Sequence, residues 1–353
     1  FSLPSIAGLP VTGLWTIILL VYAFIASVLP VGLLLQPRDF LNAWQLYVAL
    51  GLIIVGLIVS GVTGSLEFVA PVVNLSPVGA PSLWPFLFIT IACGAISGFH
   101  CLVCSGTSAK QINSEADAQY VGYGSMLVEA LLALVVLIAV GAGIGMGYEQ
   151  NGVVLQGVTA FQAHYGSWAA SAGLGSKLTA VVIGCANMMG AIGISQDLAV
   201  AIVGVLIASF AGTTLDSATR VQRYVITELG QTVKLGWLSN KYGATSVAVC
   251  SAAVLAFSSG ADGKGALLLW PLFGAVNQLL AALALVVITV YFSSKKWFLN
   301  GWTVVPCVVI LSLTIWATVL NQLQFIQQGQ WGLALVNSVI LGLSLVILVI
   351  RKR

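Results

Sequence analysis

Charge is scarce in this chain. Asp, Glu, Lys and Arg make up 7% of its 353 residues, against roughly 25% in a soluble domain. With 59% hydrophobic residues and a mean hydropathy of +1.06, a soluble fold could not cover its own surface. The composition is that of a polytopic membrane protein. Histidine is scarcer still, with two in the whole chain, so a catalytic triad would have to assemble by chance. No stretch interleaves basic and aromatic residues as a nucleic-acid groove requires, and the net charge of +3 gives no reason to expect nucleic acid. A Walker loop, a dinucleotide fingerprint and a zinc-protease helix are all missing. "CSGTS" at 104–108 is not a nucleophile elbow. The chain is therefore not expected to be an enzyme or to carry a cofactor. Its six cysteines, at 93, 101, 104, 185, 250 and 307, all fall in apolar stretches, which is no secreted disulfide framework. Cys101 and Cys104 form a C-x-x-C without a second pair, so no metal site is expected.

What is there is apolar runs of membrane length. Nine spans are predicted, at about 14–34, 44–60, 83–109, 121–147, 195–215, 244–260, 266–292, 302–320 and 333–350, each near or above the roughly 17–25 residues a bilayer needs. A shorter piece at about 178–190, ending in "CANMMGAIGI", is Gly-broken and reads as a re-entrant or half helix. The expected fold is thus all-α, one transmembrane domain over 1–353, of the broken-helix secondary-transporter type. With the loop holding Arg38 placed in the cytoplasm, eleven of the thirteen Lys and Arg residues fall on that side, as the positive-inside rule requires. Lys177 and Lys264 fall outside. This puts residue 1 outside and Arg353 inside. The chain opens at Phe1 with no signal peptide ahead of it, so a processed or truncated N-terminus lacking upstream spans is expected. Residues 216–230, "DSATRVQRYVITELG", carry an apolar stripe and a polar one and are expected to lie as an amphipathic helix on the cytoplasmic face. Asp216 and Arg220, four apart, can pair there; they are either solvated charges or a gating latch.

Four polar groupings stand out against this background. In "CGAISGFHCLVCSGTSAKQ", from Cys93 to Gln111, Gly94, Gly98 and Gly106 weaken the helix, and a break near Gly98 would free backbone groups for a substrate. Ser97, Cys101, Cys104 and Ser108, at helical spacing, then form a small polar face that lines a cavity with Gly98 and His100; the alternative is close helix packing through small residues. Glu129 sits about two turns inside its span, where a charge costs about 3 kcal/mol. It is either a proton carrier, in company with His100, or a snorkelling or Lys110-paired side chain. Asn187 belongs to the broken piece 178–190. Asn277 and Gln278 lie roughly 10 Å inside the span that starts at Trp270, where their amides either glue helices together or contact substrate.

Several stretches taken together resemble the carbon starvation protein A family: "VYAFIASVLPVGLLLQPRDFLN", "WPFLFITIACGAISGFHCLVCSGTSAKQI", "YGSMLVEALLALVVLIA", "AGTTLDSATRVQRYVITEL" and "LWPLFGAVNQLLAALALVVITVYF". They come in family order from about residue 14 to 300. The resemblance implies a starvation-response secondary transporter of the broken-helix superfamily, importing small peptides or, in a close branch, pyruvate with protons. Its partners would be a small carboxylate-bearing substrate, a proton or sodium ion and the lipid bilayer, and its place the cytoplasmic (inner) membrane of a bacterium or archaeon. By motif it carries over Gly98, Phe99, His100, Ser105, Gly106, Thr107, Glu129, Asp216, Arg220, Asn277 and Gln278 as candidates. Two departures matter: the family's usual further N-terminal spans are missing, and Cys101 and Cys104 stand where Ser or Ala is common. A membrane sensor or an assembly subunit without transport is the alternative function.

Overall fold

The computed structural model describes residues 9–74, 77, 79–171, 173–293 and 300–350. Lys295, Lys296 and Arg351 to Arg353, on which part of the charge layout rests, lie outside the described residues. Twelve α-helices are described: α1 Val11–Val28, α2 Val31–Val62, α3 Phe88–Ala95, α4 Gly98–Gly106, α5 Asp117–Gly141, α6 Gly157–Tyr165, α7 Leu174–Gly190, α8 Gln196–Thr232, α9 Lys241–Ala256, α10 Trp270–Ser293, α11 Asn300–Gln327 and α12 Trp331–Ile350. Seven helical segments are long and apolar enough to cross a bilayer, and α9 and the described part of α12 are shorter apolar helices. Each overlaps one of the expected spans in sequence. The protein is an all-α, multi-pass membrane protein.

The chain forms two compact units. The first comprises the described parts of Phe1–Val28, Pro81–Gln111 and Ser217–Arg353. Its core is built on α10, whose Leu272, Leu279 and Ala282 pack with Ala92 of α3 and with Ile310, Leu311 and Phe325 of α11. The second comprises Leu29–Ala80 and Ile112–Asp216. There Leu50 and Ile53 of α2, Val135 and Ala139 of α5, Met188 and Met189 of α7 and Val203 of α8 close one cluster. Helix α8 passes from the second unit to the first between Asp216 and Ser217.

The elements differ from the expected layout in three places. A loop was expected between spans 14–34 and 44–60, but α2 starts at Val31 and carries Arg38 and Asp39 inside it. Pro37 removes one backbone hydrogen bond there without ending the helix. Residues 216–230 continue α8, which is 37 residues long. A two-stranded antiparallel hairpin, β1 Tyr148–Gln150 with β2 Val153–Leu155, interrupts the helices. Its turn is Asn151-Gly152, with φ of 55° and 78°, the positive-φ pair that a two-residue hairpin turn demands. Helix α7, with 17 residues, is about 26 Å long, short of the roughly 30 Å hydrocarbon core.

Candidate functional site

In the first unit, the helix of the third span breaks. Helix α3 ends at Ala95, Ile96 and Ser97 leave helical geometry, and α4 begins at Gly98. A helix start leaves N–H groups without partners. Ser97 caps α4, its Oγ accepting from the His100 N–H at 3.4 Å. Asn277 of α10 does the rest. Its Oδ1 accepts from the Phe99 N–H at 2.8 Å and from Ser97 Oγ at 3.2 Å, while its Nδ2 donates to Cys93 Sγ at 2.9 Å. Gly98 permits this approach, because a Cβ there would run into the backbone of Asn277 and Ala281. Asn277 is thus a clamp between residues on both sides of the break. Its neighbour Gln278 is fully buried, and neither Oε1 nor Nε2 has a hydrogen-bond partner among the described residues. A buried, unbonded amide costs free energy that a folded core seldom tolerates.

The second unit has an interruption of its own. Helix α5 ends at Gly141, and a short tight turn, Gly143–Met146, leads to the hairpin. Asn187 of α7 donates through Nδ2 to the carbonyls of Gly143 at 2.9 Å and Gly147 at 2.7 Å, and its Oδ1 accepts from Gln196 Nε2 at 3.2 Å. Each of its amide atoms is matched. A groove of about 590 Å³ beside it is lined by Glu149, Thr179, Val182, Asn187 and Gln196 among others. Elsewhere in this unit the Arg38 guanidinium lies 3.1 Å from the fully buried carboxylate of Asp216, and Asn42 donates to Thr213 Oγ1 at 2.6 Å. Buried His164 stands between hydroxyls, Nδ1 at 3.2 Å from Tyr148 and Nε2 at 3.4 Å from Ser176. Burial lowers its pKa from the ordinary histidine value, with the Ser176 contact acting in the opposite direction.

With this geometry in hand, relatives can be compared. Residues 9–317 match the model of the family described as Carbon starvation protein CstA. The chain belongs to that family. It is 33% identical over 339 residues to the "Peptide transporter CstA" of Helicobacter pylori (strain ATCC 700392 / 26695), covering 85% of this chain and 48% of that protein. It is 34% identical over 360 residues to the "Pyruvate/proton symporter BtsT" of Escherichia coli K12, covering 86% and 50%. A "Peptide transporter CstA" of Mycobacterium tuberculosis H37Rv is 34% identical over 82% of this chain and 43% of its own. The chain spans about half the length of the curated relatives it matches. No solved structure matches it.

The expected site residues are dispersed. Ser97, Gly98 and Asn277 meet at the break, with Gln278 adjacent. His100 is exposed, and its ring makes no hydrogen bond among the described residues. Ser105 and Thr107 turn their hydroxyls back onto their own helix, to the carbonyls of Leu102 and Val103. Glu129 lies midway along α5 on its exposed side. Arg220, 2% exposed, gives Nη2 to the carbonyl of Ala26 at 2.6 Å. Asp39, Asn42, Thr213 and His164 were not singled out in the sequence, and Arg38 only as a loop charge. The one available signal for Arg38 and Asp39 was that a charged pair flanked by apolar residues on both sides is costly unless paired.

Proposed function

We propose that this chain is the part of a secondary active transporter that holds a substrate site, importing small peptides or pyruvate across the cytoplasmic membrane of a bacterium or archaeon, coupled to protons. It has no catalytic role in this reading. The observation that carries it is the broken helix α3–α4 pinned by Asn277, with the unbonded amide of Gln278 buried beside it. Discontinuous helices expose backbone dipoles where substrates bind in such carriers, and a buried amide without a partner suits a ligand that supplies one. The names of the relatives, peptide transporter and pyruvate/proton symporter, support the substrate classes.

Roles follow for the other candidates. Ser97 and Gly98 shape the break, His100, Ser105 and Thr107 extend the polar face of α4, and Asn187 orders the turn that leads into the hairpin. Glu129, an acid midway along a membrane helix, takes up and releases the coupling proton, with His100 as the second titrating group. Asp216 and Arg220 are the gating residues, Asp216 paired with Arg38 within the second unit and Arg220 bonded to the Ala26 carbonyl within the first. Uptake of labelled pyruvate and of labelled alanylalanine into proteoliposomes, under an inward proton gradient, tests the reading. Accumulation that collapses with a protonophore is expected. In Glu129→Gln, accumulation should fall to the level of equilibration while counterflow survives, because Gln mimics only the protonated acid. Binding without uptake of either compound would instead mark the chain as a sensor.

A further inference from the structure

The short turn Ser108–Lys110 just past α4 and the second half of α8, both in the first unit, bring two cations to one aromatic ring. Lys110 Nζ stands 4.8 Å from the centroid of Tyr224, and the Arg223 guanidinium carbon stands 4.8 Å from the same centroid. Arg223 is 8% exposed. Among the described residues neither cation has an ion-pair partner. The acid nearest along α8 is Glu228, one turn beyond Tyr224 and exposed. One turn before it, Arg220 holds the Ala26 carbonyl. A ring face attracts a cation, but it does not neutralise two that repel each other. Arg223 is buried as a residue, yet its guanidinium nitrogens are not among the enclosed, unbonded polar atoms, so its charge faces an opening that an anion can reach.

We propose that Arg223, Lys110 and Tyr224 form a carboxylate-binding site, taking the acid group of the transported molecule at the end of α4 opposite the break. Arginine presents a planar fork of N–H donors that matches the two oxygens of a carboxylate, and lysine adds a mobile point charge. The burial of Arg223 argues for a small anion that can enter rather than a phospholipid headgroup at the protein's rim. Both pyruvate and the C-terminus of a peptide carry the required group. The inference rests on the transport reading and adds a second stop for the substrate's acid group, at the other end of the nine-residue α4, about 14 Å from the break and too far for pyruvate to reach both at once.

Equilibrium binding to the purified chain in neutral detergent tests it, with pyruvate, alanylalanine and alanylalanine amide as probes. Pyruvate and alanylalanine should bind, and the amide about tenfold or more weaker. Arg223→Gln should weaken pyruvate binding by about tenfold or more, Lys110→Gln by about threefold, and Arg223→Lys should restore part of the loss. Should Arg223→Gln fail to fold, acetylation of Lys110 in the unaltered chain, followed by mass spectrometry, gives the same answer. Saturating pyruvate should slow it about threefold or more. No pyruvate binding, an unchanged affinity in folded Arg223→Gln, or Lys110 acetylation indifferent to pyruvate overturns the site. So does co-purified phosphatidylglycerol that Arg223→Gln loses and pyruvate does not displace. Binding with the expected pattern but no uptake in proteoliposomes keeps the site and removes the transport reading. Uptake indifferent to Arg223→Gln, with unchanged pyruvate affinity, does the reverse.

Discussion

Each of the two units uses an asparagine to pin a place where a membrane helix breaks or ends, yet the two pins work in opposite senses. Asn277 presents an oxygen to the start of a helix, where N–H groups lack partners. Asn187 presents an N–H₂ group to carbonyls beyond the end of a helix. The second arrangement is complete, since Gln196 takes up the remaining amide oxygen of Asn187. The first leaves Gln278, next to the pin, buried with both amide atoms unbonded. In the proposed reading, the difference separates an interruption that only shapes the fold from one that holds binding capacity in reserve.

The comparison breaks most visibly at the glycines. A Cβ on Gly98 would overlap the backbone of α10, and one on Gly184 the backbone of Ala139. Gly98→Leu and Gly184→Leu should each cost about 3 kcal/mol, read as a lower midpoint of thermal unfolding in detergent. Equal stability to the parent in either would mean that the helices are not as close as described.

Substitution of the two pins by aspartate is a sharper probe. Asn277→Asp keeps the acceptor for Phe99 and Ser97, whereas Asn187→Asp loses both donors and sets a carboxylate against two carbonyls. Asn187→Asp should therefore destabilise by about 3 kcal/mol and Asn277→Asp by about 1 kcal/mol. The reverse order in thermal unfolding would contradict the opposite senses assigned to the pins.

The smallest effect belongs to His164, which has no counterpart in the first unit. Its pKa is lowered in the folded chain by burial, so the unfolded chain binds the proton more readily. Its share of stability is intact above the ordinary histidine pKa of 6.5 and declines as pH falls below it. Protection of the hairpin and of α6 against hydrogen exchange, corrected for the intrinsic pH dependence of exchange, should fall modestly from pH 7.5 to 5.5, and His164→Phe should flatten that dependence. A parent profile identical to that of His164→Phe would remove histidine from the account.

Much of this architecture was legible in the chain. The break was marked by Ser97-Gly98 within an apolar run, because serine caps helix starts and glycine weakens helix interiors. Asn277 and Gln278 were marked by their depth. Which amide would be bonded was not legible, since the partners of Asn277 lie some 180 residues away and only packing brings them together. Pro37-Arg38-Asp39 looked like a loop, and only the pairing of Arg38 with Asp216 makes a helix tolerable there. The hairpin had a local signal in Asn151-Gly152, overlooked in a chain dominated by helical runs. The environment of His164 is assembled from residues 148, 165 and 176, which no local pattern joins.

The central claim is that Gln278 is held in reserve for a ligand rather than for the fold. Gln278→Leu tests it, with unfolding and pyruvate or alanylalanine uptake measured on the same preparation. An apolar side chain of similar size should relieve an unbonded amide, so the midpoint of unfolding should stay level or rise. Uptake should fall about tenfold or more, as one lost hydrogen bond to a bound substrate implies. A marked loss of stability, or uptake equal to the parent, would show that Gln278 belongs to the fold and that the break in the first unit is no more a binding site than its counterpart in the second.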